Sequence, residues 1–525
     1  MRNRLLLALL PAGLIPLAWA CGNHSNAGTP TDGGAEADVD AGDDADAADD
    51  FGGGPDGSSD ICTLSDKVTD PVALCVQQQA LSYEMQYAYT KGHGVAPGWS
   101  STGSFAPLTG HAWQDDLGLA GAIGGYYCSS EVYGNNHSTA AFSAVLTDLG
   151  GTLVSELQQT PPPYQGSYDG EIYFRLRWAQ AAYNYANDAQ ATALKGMADA
   201  YGAGLAAQAY AVPSAGGDAG TPGGLVIGTK NGDGTVSYAP AQTVMAAAAL
   251  LDMAVLGASG VDAGPVQAWA TTAQQVLTYV VARGRDPVTG LFYQSLVTSS
   301  DPGHDAVGPG APTNDSMLTE TQAWIVLGLA RAQDLLTAYQ MSPLADAGVD
   351  ASTLTPTAYW TAGDAVGAAM TNAGLFDGTA TPPSPPPAGA FMEGLILSGS
   401  QVLTNKTTIG NAIMLGGFHR VQVGQGTVLA YELGEMRSTL TQLLPANTSL
   451  LSVVTDQNGN LIQQSYLRAG SKAFGYADAY SPGGEPVVQG QETGATNYRS
   501  DAVHAMVEGF TQLWHGAAND ARCAP

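Results

Sequence analysis

The sequence predicts an all-α protein, an (α/α)6 toroid of about six helical hairpins with small β-hairpins in its long loops. The first observation is periodicity. Runs such as QTVMAAAALLDMAVL and ETQAWIVLGLARAQDLL place apolar residues at i, i+3, i+4 and i+7. The second is alternation among the connections. Long ones rich in Gly, Pro and aromatics span 92–110, 159–168, 211–238, 285–313, 374–387 and 444–497. Short ones fall between them, near 129–137, 188–189, 259–262, 339–353 and 421–424. In antiparallel hairpins this alternation puts every long loop on one face. The helices after long loops then form an inner ring whose N-termini open into a funnel. An open solenoid of helix pairs is the alternative arrangement, but the spacing is too uneven for a strict repeat.

In chain order, Met1-Arg2-Asn3-Arg4 precedes the apolar run Leu5–Ala20 and then Cys21. Basic residues, a short apolar core and small residues before a cysteine describe an export signal over residues 1–20. Pro11 and Pro16 break the run, which is too short to span a bilayer comfortably. LAWA-C resembles a bacterial lipoprotein signal, which would make Cys21 the lipidated N-terminus. The chain is then expected in the cell envelope, on the outer membrane or cell surface; secretion after ordinary cleavage is the alternative. Residues 21–60 read as a disordered tether, because 22–60 hold eleven acids and no Lys or Arg.

The whole chain carries −29; setting aside those eleven acids and the leader's two arginines leaves −20 on residues 61–525. A body this acidic is a poor partner for nucleic acid or anionic membrane. Any membrane association is expected only through the lipid anchor. Residues 61–525 are long enough for a large core and are read as one toroid domain, a monomer, with 444–497 an expanded loop region. With Cys21 lipidated, Cys62, Cys75, Cys128 and Cys523 remain, an even number suited to two disulfides with three pairings open. Cys62–Cys75 with Cys128–Cys523 is preferred, since the second ties the C-terminus to the body. No cysteine has zinc-site spacing.

Helices are expected over 69–91, 111–128, 138–158, 169–188, 189–210, 239–258, 263–284 and 314–338. Further helices are expected over 354–373, 388–420 (one piece or two), 425–443 and 498–516. LVIGTKNGDGTVSY alternates around Asn231–Gly234, and SVVTDQNGNLIQQSY around Asn458-Gly459; both read as hairpins. NGDGT lacks the later bidentate acid of a calcium loop, so a turn is the better reading.

The stretch His111–Gly125, HAWQDDLGLAGAIGG, has too many glycines for a surface helix and opens on two adjacent acids, Asp115 and Asp116. Acids and aromatics recur after each long loop: Trp113; Tyr168, Asp169, Glu171 and Tyr173; Tyr238; Asp315, Glu320, Gln322 and Trp324. Phe391 and Glu393 follow, then Tyr498, Arg499, Asp501 and His504. In a toroid these ring one cavity. Aromatic faces stack on sugar rings, while acids bind hydroxyls and move protons. Glycosidic cleavage needs one carboxylic acid to protonate the leaving oxygen and one carboxylate as nucleophile or base. A single acid in a first helical turn is ordinarily a cap, and Asp169 fits that role best. Trp178 and Trp324 are expected in the core. The Asp115–Asp116 pair exceeds what one cap requires, and mutual repulsion would raise one pKa as an acid catalyst needs. Asp115 and Asp116 are therefore the catalytic candidates. Trp113, Tyr168, Asp169, Glu171, Tyr238, Asp315, Glu320, Tyr498 and Arg499 are the substrate-binding candidates.

Trp-Gln-Asp-Asp at an inner-helix start resembles the W-x-D-D pair of family 76 glycoside hydrolases, endo-acting α-1,6-mannanases built as an (α/α)6 toroid. DPVTGLFYQSL (286–296) and TETQAWIVLGLARAQDL (319–335) also resemble six-hairpin glycosidases and sugar epimerases. The resemblance covers roughly residues 67–420. It implies that Asp115 and Asp116 serve as nucleophile and general acid/base, in either order. The Asp pair comes early in the chain for that family, and 444–497 has no counterpart in it.

The leading expectation is an exported, tethered glycoside hydrolase acting on a carbohydrate without metal or organic cofactor. A polysaccharide lyase or sugar epimerase on the same toroid would use Tyr498, Arg499 and His504 instead. A non-catalytic glycan-binding lipoprotein is the third reading. His111, His137, His304 and His419 are scattered, and a lone His is more often structural.

Overall fold

The computed structural model describes residues 77, 80–81, 83–100, 107–132, 140–166, 168–186, 188–213, 222–257, 263–299, 305–307, 316–341, 358–377, 390–397, 401–425, 452–455, 461–465, 479–480, 486–487 and 497–512. The expected leader, the tether, Cys21 and the 426–443 part of one expected helix lie outside them.

After helical residues at 77, 80–81 and 83–87, ten further helices are described: α1 (Trp113–Val132), α2 (Ala140–Leu157), α3 (Gly170–Ala186), α4 (Asp188–Ala207) and α5 (Pro240–Gly257) come first. α6 (Ala263–Arg283), α7 (Thr319–Gln340), α8 (Ala358–Asn372), α9 (Thr408–Gln425) and α10 (Ser500–Gln512) follow. α1 packs on α3, α3 on α5, α5 on α7, α7 on α9, α9 on α10, and α10 back on α1. Six inner helices thus form a closed ring. Outside it α2 lies against α1 and α3, α4 against α3 and α5, α6 against α5, and α8 against α7 and α9. This is the (α/α)6 toroid that the alternation of loops predicts.

An inner helix has neighbours on both flanks, behind it and in the ring's middle, so its sequence is apolar all round rather than striped. α5 shows this, buried almost continuously from Thr243 to Ala254. It is also the one described helix long and apolar enough to cross a membrane, and most of it is core. Glycine lets the inner helices approach. A Cβ on Gly124 of α1 would lie 2.1 Å from the Trp178 carbonyl oxygen of α3, and one on Gly509 of α10 the same distance from the Ala412 oxygen of α9. The glycine-rich run after Asp116 is therefore a packing feature. Trp178 and Trp324 are core residues.

The charges inside the ring join its inner helices to one another. Tyr173 and Arg177 of α3 donate to Asp252 of α5 at 2.6 and 3.2 Å. Arg331 of α7 is fully buried; it bonds Glu508 of α10 at 2.8 Å and lies 4.4 Å over the Phe174 ring. Arg420 of α9 reaches both Asp334 of α7 (2.9 Å) and Gln512 of α10 (2.6 Å). Pairing of this kind offsets the desolvation that a buried charge carries.

The expected helix 388–420 is corrected. Its first part is strand, Ala390–Phe391, Gly394–Ile396, Gln401–Leu403 and Lys406–Thr407, and the helix begins only at Thr408. The apolar run GLILSG reads as helical in isolation, but Gly394–Ile396 pairs on both sides, with Ser316–Leu318 and Gln401–Leu403. For the same reason α7 starts at Thr319 and not at 314. The hairpin at Asn231–Gly234 is shorter than expected, Thr229–Lys230 with Val236–Tyr238, because Pro222–Ile227 pairs instead with Ala209–Pro213. Asp233 accepts from the Thr235 backbone N–H and hydroxyl at 3.0 and 2.7 Å, so NGDGT is a turn closed on itself. Ser452–Thr455 pairs with Leu461–Ser465 around Asn458-Gly459 as expected. The first long loop meets the last: Gly98–Ser100 pairs antiparallel with Asn497–Arg499, and Ser500 bonds Pro97 and Ala96.

Candidate functional site

The first turn of α1 carries Asp115 and Asp116, and consecutive helical residues point about 100° apart. The pair is consequently split between two surroundings. Asp115 is half-buried and is influenced by His504 and Asp501 of α10, Arg175 of α3, and Arg499. Burial pushes its carboxyl above the usual range; His504 opposes the shift, and the charge of Asp501 adds to it. Asp116 is fully buried and turns to the wall. Its Oδ1 accepts the Val95 N–H at 2.7 Å, and His111 Nε2 lies 3.7 Å from Oδ2. Desolvation holds this carboxyl up as well, against the pull of the Val95 N–H and His111.

Local chain geometry explains the wall. Tyr89–Thr90 and Gly94–Val95 form a two-stranded hairpin, anchored on α2 by Asp148, which accepts from the Tyr89 hydroxyl (2.6 Å) and the Gly92 N–H (2.8 Å). Gly94 has φ +78°, and a Cβ there would sit 2.6 Å from Asp116 Oδ1 and 2.5 Å from His111 Cε1. Only glycine brings the Val95 amide to the carboxylate.

On the ring side, His504 Nε2 lies 2.7 Å from Glu84 Oε1, and both residues are buried. Burial raises the Glu84 pKa, with His504 opposing. His504 Nδ1 has no hydrogen-bond partner among the described residues. His504 also lines a small recess together with Gly118, Gly121, Arg175, Trp178 and Glu508, among others. Arg175 pairs with Glu171 one turn earlier in α3. Glu171 is pushed up to about 8 by burial, against the pull of Arg175. One end of the ring thus gathers acids that hold protons above their usual range, a histidine on a buried carboxylate, and two arginines. Such a set can donate and accept protons and grip hydroxyl or carboxylate groups.

The sequence candidates divide as follows. Asp169, Glu171, Glu320 and Arg499 join Asp115 in this charged group: Asp169 and Glu320 act on Glu171, and Arg499 on Asp115. Asp169 is also the cap of α3, accepting the Glu171 N–H at 2.9 Å. Arg499 pairs with Asp501 at 3.3 Å. Trp113 and Tyr168 are half-buried, Trp113 with its ring 6.5 Å from Tyr164. Tyr498 is buried, its ring 5.7 Å from Trp99, so it braces the loops that flank the site. Asp315 lies outside the described residues.

Two assignments are corrected by position. Asp116, with no exposed surface, is not presented to the recess. Tyr238 is buried and donates to Asp305 at 2.8 Å, where Tyr279 and Arg283 converge as well, so it belongs to a structural cluster. Glu84, Arg175 and Glu508 were missed. For Arg175 the i, i+4 spacing to Glu171 was an available signal. For Glu84 the available signal was an acid inside the apolar text LSYEMQY. Cys128 is buried, while Cys62, Cys75 and Cys523 lie outside the described residues.

No protein-family model and no curated protein matches the sequence. Solved structures do. An unsaturated glucuronyl hydrolase specific for heparin is 11% identical, with 85% of this chain and 97% of that one covered, at a TM-score of 0.49. A family 76 glycoside hydrolase from a bovine Bacteroides thetaiotaomicron strain is 10% identical, covering 84% and 77%, at 0.47. A polysaccharide lyase is 10% identical, covering 85% and 98%, at 0.44. At these identities and TM-scores the likeness adds nothing to the ring that the helix contacts establish.

Proposed function

We propose that this chain is an exported glycoside hydrolase working at the end of the ring where Asp115 lies. The observation that carries the reading is Asp115 itself: a half-buried carboxyl in the charged group at that end, held toward its protonated form by burial and near a second carboxylate, Asp501, on the neighbouring inner helix. Asp115 is the general acid that protonates the leaving glycosidic oxygen. Asp501, paired to Arg499, takes the part of the second carboxylate that the sequence alone assigns to Asp116. Arg175, Trp113 and Tyr168 bind sugar around them.

A specific observation favours a second reading. The Glu84–His504 pair orients an imidazole that lines the recess and whose Nδ1 has no hydrogen-bond partner among the described residues, a candidate base for removing a carbon-bound proton in a lyase or epimerase. A glycan panel with α-mannan and uronate polymers, read by mass spectrometry and near-ultraviolet absorbance, separates the two. Hydrolytic products lost by about 10²–10⁴-fold in kcat in Asp115→Asn, with unchanged thermal melting, support the hydrolase. Unsaturated products that depend on His504 and survive in Asp115→Asn overturn it in favour of the lyase. Binding without any product overturns both in favour of a glycan-binding protein.

The same proposal places the protein in the bacterial envelope as a monomer, tethered through lipid on Cys21 and the acidic segment to residue 60, with Cys128–Cys523 and Cys62–Cys75 as its disulfides. Loss of membrane association in Cys21→Ser, and peptide mapping without reduction, test the anchor and the pairing.

A further inference from the structure

We propose that His111, Asp116 and Glu156 form a divalent transition-metal site, zinc by its ligand chemistry, in the wall between α1, α2 and the 89–95 hairpin. Nothing in the sequence signals it, since the donors are scattered over three segments. His111 precedes α1, Asp116 lies in its first turn, and Glu156 is near the end of α2.

The donor atoms are already gathered. One atom from each residue lies within 4.8 Å of the other two. His111 Nε2 is 3.3 Å from Glu156 Oε1 and 3.7 Å from Asp116 Oδ2. A tetrahedral ion with bonds of about 2.1 Å spaces its ligand atoms by roughly 3.4 Å, so these separations suit the edges of a zinc polyhedron.

Two independent observations point to a ligand rather than to a chance cluster. Asp116 has no exposed surface, yet its Oδ2, facing the cluster, has no hydrogen-bond partner among the described residues. Buried oxygens are seldom left so. The orientation of His111 is the second. Its Nδ1 lies 3.3 Å from the Val95 carbonyl oxygen, the contact through which a metal-binding imidazole is usually held by its other nitrogen. With the proton on Nδ1, the Nε2 lone pair faces two carboxylates, which is repulsive unless a cation lies between. A second proton, on Nε2, serves Glu156 alone, because 3.7 Å to Asp116 is beyond hydrogen-bond reach. A metal ion satisfies all three.

One imidazole and two carboxylates select a zinc-like ion over calcium, which takes six to eight oxygens. The His111 side chain is 32% exposed, so a water can complete the coordination. Val95 acts as the outer support, with its N–H on Asp116 Oδ1 and its carbonyl on His111. Bound metal would fix the first turn of α1 and with it the direction of Asp115. The site stands whether or not the recess cleaves glycans.

The test uses purified protein without a histidine tag, stripped with chelator and titrated with Co2+ and then Zn2+. One Co2+ per chain with tetrahedral visible bands, displaced by Zn2+, is expected in the wild type. His111→Ala and Glu156→Gln should lose that spectrum and stoichiometry while melting as the stripped wild type does. If His111→Ala fails to fold, Glu156→Gln, altered at a partly exposed side chain, decides by itself. No Co2+ spectrum in the wild type, or an equal one in wild type and variants, overturns the site.

Discussion

Glu171 illustrates how one side chain can tie stability to pH. Its carboxyl is mostly buried, and its pKa is raised from the ordinary 4.5 to about 8, by burial above all. Between those values the folded chain holds a proton that the unfolded chain has released, so stability falls as pH rises through that window. Glu171→Gln removes the slope. Its melting temperature relative to wild type should rise by about 2 °C or more between pH 5 and pH 8; a constant difference across that range refutes the assignment. Tyr238 provides the contrasting case. Asp305 keeps Tyr279 and Arg283 when the Tyr238 hydroxyl is lost, so Tyr238→Phe should cost about 1 kcal/mol and leave activity unchanged. Urea melts and a turnover assay together check that it belongs to the frame. Sequence text alone ranks these two residues alike, since each stands near an inner-helix start; burial and partner separate them. The adjacent Asp115 and Asp116 carry the same lesson. Neighbours in sequence look like a pair, but the helical turn sends one to the ring and the other to the wall.

Among the elements, the glycines of α1 decide how close the helices stand. Gly124→Ala forces a Cβ against the Trp178 carbonyl, a backbone atom that no rotamer change can move away. The expected cost is about 1–3 kcal/mol; a variant as stable as wild type would show that α1 and α3 are less tightly apposed. The inner helices were legible because each is long, apolar and preceded by a long loop. The stretch from Ala390 to Thr407 was not. Its apolar residues carry no period long enough to separate helix from strand, and the partner that settles the matter, Ser316–Leu318, lies nearly eighty residues away. Glu84 and His504, separated by 420 residues, were unreadable as a pair for the same reason.

For the molecule as a whole, α10 is the last stave, touching both α9 and α1. A chain ending at residue 496 should therefore expose the apolar flanks of α1 and α9, bind a hydrophobic dye and aggregate. A soluble, cooperatively melting truncation would mean that five inner helices suffice. Closure also explains why the fold class could be read in full while the site could be read only in part. Loop alternation is a local property of the chain, but the charged cluster draws on α1, α3, α7 and α10, which are far apart in sequence.

That meeting of Gly98–Ser100 with Asn497–Arg499, and of Glu84 with His504, has a consequence in time. A ribosome adding about 5–20 residues per second needs tens of seconds to pass from one partner to the other. Throughout that interval Asp115 lacks its neighbours from α10, so a nascent chain has no assembled site. The charged group around Asp115 is therefore complete only after the helix Ser500–Gln512 has been made.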